Sequence, residues 1–331
     1  MKKKIICALL AICILLSLCA CMASNKNSDA KIKILCTLFP QYDWLRNITE
    51  GADGIEVSLI ISNGTDPHSY QPTAADIMSI SNCDILVYVG GDSDTWVKKA
   101  IERSKNQDIN AVALTELDGI TLHDISSGSH SHDEHSHVEH SHEGHSHSAL
   151  DEHLYLSIEN ACTAVNKLAN ELCKADPDNS EIYLKNSLEY TLKLKNISED
   201  FTSKVNEIPE HDRFILFADR FPFVYLLSDY KIHYSAAFEG CTTDVDADFD
   251  TVIRLIQEAN EHNVNYIAVT ESSDKALANT VISSTNSKNQ KIITLNSMQA
   301  ITKAQIENGA TYISIMNENI DQVKIALGIE N

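Results

Sequence analysis

Between residues 129 and 156 the chain reads SHSHDEHSHVEHSHEGHSHSALDEHLYL. Ser, Asp, Glu and Gly separate its histidines, and Val138 is the one apolar residue before Ala149. A segment of this composition cannot build a core, so the chain must fold on either side of it. His130, His132, His135, His137, His140, His142, His145 and His147 make four His-Ser-His pairs that repeat every five residues. Neutral imidazole is the commonest side-chain ligand for zinc, copper and nickel, and two imidazoles one residue apart on a flexible chain bend onto one ion. The regular repeat argues against an incidental polar linker, and the loop over 123–148 reads as a metal collector. It ends at Asp151-Glu152-His153, where Leu154-Tyr155-Leu156 turns the composition apolar. His153 is therefore expected at the start of ordered structure, in a fixed site.

A chain of 331 residues suits two domains, and 43% hydrophobic residues can fill two cores. The formal charge of −21 argues against a nucleic-acid partner and suits a protein that attracts cations.

The N-terminus sets the compartment. Lys2, Lys3 and Lys4 precede an apolar run over 5–18, interrupted by Ser17, and Leu18-Cys19-Ala20-Cys21 follows. This is a secretory signal over 1–20, too short for a comfortable span. Its ending resembles a bacterial lipobox, which implies cleavage before Cys21 and a diacylglyceryl thioether on that sulfur. Residues 21–30 then form anchor and tether. Cys36, Cys83, Cys162, Cys173 and Cys241 remain, an odd number with no CxxC pair. A disulfide is permitted outside the cell but not specified. Cys36 and Cys83 belong to or border apolar runs and read as buried thiols.

The body alternates strand and helix patterns, as βαβ units do. Strands are expected over 31–39, 54–61 and 84–90, and helices over 41–49 and 73–81. After the histidine loop come helices over 156–174 and 180–205, the second stopped by Pro209. A helix of about 25 residues spans roughly 38 Å, about the width of a domain, and makes a rigid spine between two halves. Strands are then expected over 214–217, 232–238, 265–270 and 291–295, with helices over 249–263, 273–285 and 311–327. The boundaries are an N-terminal α/β lobe over 31–178, a linking helix over 179–208 and a C-terminal α/β lobe over 209–331.

Residues 66–73 read DPHSYQPT, a histidine in a turn stiffened by Pro67 and Pro72 just past a strand. Ligands of open α/β sheets sit beyond the carboxyl ends of strands, so His68 is a candidate ligand.

The ordered set of lipobox, DPHxYxPT loop, His-rich insertion, DEH, spine helix and second α/β half resembles the solute-binding lipoproteins of zinc and manganese ABC importers. The resemblance covers essentially 31–331. It implies two mainly parallel α/β lobes joined by a rigid helix, with a metal site in the cleft between them. His68 matches the family's first ligand histidine and His153 its second; the insertion is typical of zinc members. Two further ligands are not carried over. Ala218 stands about where a third histidine is usual, and Gln299 stands at the usual acidic position of a Leu-Asn-Pro-Leu-Glu-like segment. Asp219, beside Ala218, is the best substitute, since carboxylate oxygen is an acceptable zinc ligand. Glu271, at a strand end, is a weaker one.

The resemblance implies a monomeric receptor, anchored by lipid to the outer face of the bacterial cell membrane. It would capture Zn²⁺ as cargo and deliver it to a membrane ABC permease, making and breaking no covalent bond. A Mn²⁺ or Fe²⁺ receptor of the same family is the nearest rival, favoured by more oxygen ligands. A zinc-dependent hydrolase needs a general base beside the metal water, and no HExxH pair is present. A surface metal buffer or adhesin without a permease is the third rival.

Overall fold

The computed structural model describes residues 31–124, 150–240 and 247–329. The signal segment, Cys21, Cys241 and the eight loop histidines lie outside the described residues.

The N-terminal lobe is built on strands β1 (Ile32–Cys36), β2 (Ile55–Leu59), β3 (Ile85–Tyr88) and β4 (Asn110–Ala113). They pair in parallel in the order β2-β1-β3-β4. Helices α1 (Phe39–Ile48), α2 (Ala74–Ser81) and α3 (Thr95–Arg103) make the crossovers. Helices cover both faces of the sheet, and all four residues of β3 are buried, as its unbroken apolar run requires.

Helices α4 (Ile158–Ala175) and α5 (Ser180–Val205) follow. Ser157 caps the first with its hydroxyl on the Asn160 amide. The second runs 26 residues, about 39 Å at 1.5 Å per residue. It buries Tyr183, Tyr190, Leu194 and Phe201 on one face.

The C-terminal lobe repeats the plan. Its strands are β5 (Phe214–Phe221), β6 (His233–Glu239), β7 (Tyr266–Thr270) and β8 (Lys291–Leu295). Their parallel order, β6-β5-β7-β8, is that of the first sheet. Between the strands lie α6 (Val224–Ser228), α7 (Phe249–Glu261) and α8 (Ala276–Ser284). Two further helices, α9 (Lys303–Glu307) and α10 (Tyr312–Leu327), close the described chain.

In each sheet the chain first winds one way from the central strand and then the other, so β1/β3 and β5/β7 flank switch points. The loops beyond the carboxyl ends of those strands therefore line a crevice. Both sets of loops face each other, and the lobes are sewn together beside them. The Lys303 amide donates to the Ser62 carbonyl at 2.7 Å, and Asn63 bridges Thr302. Gly64 (φ +78°) lies so close to this seam that a Cβ would stand 3.2 Å from Thr302 Cγ2. Deeper in, Trp44 meets Tyr312 edge-on, and the Tyr312 amide donates to the buried Asp43 carboxylate at 3.0 Å.

β5 continues past the expected 214–217 and carries Ala218, Asp219 and Arg220 in the strand. Its pairing with β6 shifts register between Phe217 and Arg220. The irregularity falls where the chain reaches the crevice, a common place for a bulge to re-aim side chains.

Candidate metal centre

His68 is held by its own turn. Asp66 caps the short 3-10 turn Pro67–Ser69 by accepting from the His68 amide at 3.0 Å through Oδ1. The Thr73 and Asp76 capping box of α2 fixes the other end of the loop, and Tyr70 donates to Asp76 at 2.7 Å.

His153 is held from the base of the histidine insertion. There the Asp151 amide donates to the His123 carbonyl at 2.9 Å, and Asp124 bridges Leu150. Tyr225 of α6 clips both strands of this base, accepting from the His123 amide at 3.0 Å and donating to the Asp151 carbonyl at 2.8 Å. Tyr312 adds a bond to the Tyr155 carbonyl at 2.7 Å. Asp151 Oδ1 accepts from both the amide and the ring Nδ1 of His153, each at 2.8 Å. With its proton fixed on Nδ1, His153 presents the lone pair of Nε2 to the crevice.

The two imidazoles converge. Their ring centroids are 5.8 Å apart, and Gln299 Nε2 of the C-terminal lobe lies 2.9 Å from Nε2 of each ring. The amide NH₂ donates to His153, whose tautomer leaves Nε2 an acceptor, and the same nitrogen meets Nε2 of His68. One atom from the opposite lobe therefore stands at a point both imidazoles can reach. Gln299 follows β8 in a loop that is itself braced. Glu271 accepts from the Ser297 amide at 2.9 Å and the Ser297 hydroxyl at 2.7 Å. Asn319 bonds both the amide and the carbonyl of Asn296. Met298 takes φ +61° between them, an uncommon conformation for a bulky side chain that the surrounding bonds enforce.

The carboxylates expected to join the histidines are engaged elsewhere. Asp219 Oδ2 accepts from the Thr270 amide and hydroxyl at 2.9 and 2.8 Å, and Oδ1 from the Arg220 amide at 2.8 Å. It ties β5 to β7 at the irregularity. Glu271 has both oxygens on Ser297. Among the described residues no three His, Cys, Asp or Glu side chains gather as a metal cluster. Asp219 and Glu271 thus do not come to the His68–His153 pair, and Ala218 is buried in the second lobe's core. Gln299, which stands at the usual acidic position, is the C-terminal side chain that reaches both imidazoles among the described residues. Its place in the Leu-Asn-x-x-Gln segment is the sequence signal for that role.

A small cleft beside the pair is lined from both lobes by Asp66, Arg220, Glu271, Ser297 and Gln299. Burial pushes Asp66 upward, but the His68 amide and the Arg220 guanidinium outweigh it and leave its pKa below the usual carboxylate range. Behind His68, Asp94 is 4% exposed, and burial raises it to about 6 against the Val89 and Gly90 amides it accepts from.

The family model for the zinc-uptake complex component A, periplasmic, matches residues 34–326. The high-affinity zinc uptake system protein ZnuA of Bacillus subtilis is 32% identical over 327 residues, 97% of each chain. The zinc-binding lipoprotein AdcA of Streptococcus pneumoniae is 28% identical over 97% of this chain, which spans 60% of AdcA's own length. Among solved structures, the metal-dependent lipoprotein YcdH of B. subtilis superposes with a TM-score of 0.71 at 27% identity, covering 89% of this chain and 99% of that one. The Zn(II)-bound ZnuA-like domain of S. pneumoniae AdcA shares the fold, with a TM-score of 0.69 at 22% identity over 90% of this chain and 99% of that one. With two parallel α/β lobes, a spine helix and a histidine pair facing the opposite lobe, this chain belongs to the ZnuA family of zinc-uptake solute-binding proteins.

Proposed function

We propose that the protein captures Zn²⁺ between its lobes at His68 and His153 and hands it to an ABC-type importer. The observation that carries this reading is the convergence of both Nε2 atoms on one atom of Gln299, at 2.9 Å each. Two imidazoles with lone pairs aimed at one point are a zinc donor set. The Gln299 amide, turned to offer its oxygen, supplies a third donor from the second lobe. A water or a histidine of the 123–148 loop completes four-coordination. The nitrogen-rich set favours zinc over manganese, which prefers carboxylate and water oxygen. Capture and release need no catalytic base, so the protein acts as a receptor and not as a hydrolase. The lipobox resemblance supports an anchor at Cys21, and the eight loop histidines act as a collector that raises the local metal concentration.

Competitive zinc titration of the purified protein, with and without residues 129–148, tests this. One tight site that survives loop deletion and is lost in His68→Ala and in His153→Ala is the expected result. Zinc binding that disappears with the loop and ignores both histidines would make the protein a surface metal buffer.

A further inference from the structure

Among the described residues the C-terminal lobe brings one neutral donor to the histidine pair, yet the cleft must stay shut around a cargo. What else holds that lobe in place is visible beside Gln299. Arg220 Nη1 donates to Asp66 Oδ2 at 2.9 Å, across the cleft from β5 to the His68 turn. Its other terminal nitrogen lies 3.4 Å from Ser272 Oγ on the β7 loop. The two side chains are 24% and 29% exposed, so the pair is partly desolvated. Asp66 is used twice, since its Oδ1 caps the turn through the His68 amide at 3.0 Å. Arg220 is anchored in turn, because its own amide is held by Asp219, which is held by Thr270. A continuous chain of bonds therefore runs from the C-terminal sheet through Asp219, Arg220 and Asp66 to the backbone of His68.

We propose that the Arg220–Asp66 pair is an interlobe latch, and that Arg220 is a positioning residue that fixes His68 and holds the cleft closed on its cargo. The inference rests on the cleft reading above. In a site with carboxylate or imidazole ligands on both lobes, the ion itself draws the lobes together. Here the described part of the second lobe offers an amide, and a charge-assisted bond adds closing force at the cleft to the backbone seam of Ser62 and Lys303. The pair also settles a difficulty of sign. A guanidinium beside a cation site repels the cargo, and pairing with Asp66 neutralises it in the closed state. Opening breaks the pair, leaving the Asp66 carboxylate on the entry side and the cation on the far lobe.

The latch acts on release more than on capture, because it forms only once the lobes meet. Stopped-flow release of zinc into excess chelator reads it, with the cleft component identified as the phase that His68→Ala removes. Arg220→Gln should speed that phase about tenfold, the range for a partly desolvated charge pair, with the association rate changed less than about threefold. Asp66→Asn keeps an oxygen for the His68 amide and loses the charge, and it should speed release at least as much, since it leaves the guanidinium unpaired beside the cargo. The double variant should release no faster than the faster single variant, and Arg220→Lys should recover part of the slow release. Unchanged release in both single variants, or effects that multiply in the double variant, would overturn the latch. If Arg220→Gln fails to fold, Asp66→Asn reads the same pair from the other side. A cleft phase present in the wild type but indifferent to Arg220 sinks the latch alone. The absence of any phase that His68→Ala removes sinks the cleft reading with it.

Discussion

Asp151 Oδ1 lies 2.8 Å from Nδ1 of His153, with both side chains almost wholly buried at the foot of the histidine insertion. A carboxylate behind a ligating imidazole fixes its tautomer and its orientation and raises its basicity. The same oxygen takes the His153 amide, so the bond sets where the ring is as well as which nitrogen faces the cleft. Asp151→Ala is expected to weaken zinc binding by about 10–100-fold, the usual cost of removing such a partner. Asp151→Asn should fall between the two, since an amide oxygen still accepts from Nδ1–H. Competition titration against a chelator of known affinity checks both.

Asp219 leads to the opposite expectation. It reads in sequence as a carboxylate ligand, but its oxygens are taken by Thr270 and by the Arg220 amide. Asp219→Ala leaves two amides and a hydroxyl short of a partner at the carboxyl ends of the two central strands of the second sheet. Stability should drop by about 1–3 kcal/mol, the cost of stranding buried polar groups. Cleft zinc stoichiometry should stay at one ion per chain. Denaturant unfolding in chelator measures the first, and metal analysis after gel filtration of the loop-deleted form measures the second. Loss of the bound ion with unchanged stability would restore Asp219 as a ligand.

Much of the scaffold is legible in the chain. The spine helix is expected over 180–205 between Asp176-Pro177 and Pro209, and the structure forms it over Ser180–Val205. Lys291–Leu295 is equally plain as a short β-branched run. Helix Thr95–Arg103 and strand Asn110–Ala113 leave no comparable trace. The strand is an edge strand of four residues, Asn-Ala-Val-Ala, with two of them buried. Asp94 looks like the helix's cap in the sequence, but the helix has no side-chain cap because Asp94 turns its carboxylate onto Val89 and Gly90 instead. The site divides in the same way. His68 and His153 stand out because local turn chemistry surrounds them. The roles of Glu271 and Asp219 depend on Ser297 and Thr270, which reach them from other strands, and no local pattern announces that.

Gln299 invites the converse experiment to a loss of function. Its amide touches both imidazoles but carries no charge to offset a divalent ion. Gln299→Glu places an anionic oxygen at the same reach, and zinc affinity should rise by at least tenfold, about 1.4 kcal/mol. The midpoint of thermal unfolding should climb further on zinc addition than it does in the wild type, as linkage requires of a tighter ligand. Gln299→Ala should weaken binding while leaving His68 and His153 able to hold the ion. An equal zinc affinity in all three forms would show that Gln299 does not reach the ion.

Asp94 makes the metal-free protein sensitive to pH. Burial raises its pKa from 3.8 to about 6, with the Glu152 charge adding to the rise and the Gly90 and Val89 amides and His68 opposing it. A carboxyl whose folded pKa lies above its unfolded value favours folding in its protonated form. That contribution is complete below about pH 4 and is lost as pH climbs through about 6. The rise corresponds to roughly 3 kcal/mol. Asp94→Asn keeps an oxygen for the Val89 and Gly90 amides and removes the titration. The difference in unfolding free energy between variant and wild type, measured in chelator, should therefore move in the variant's favour between pH 4 and pH 7. A difference that stays flat across this interval would mean that Asp94 is ionised throughout it, held so by the two amides that meet its Oδ2 at 2.6 and 3.2 Å.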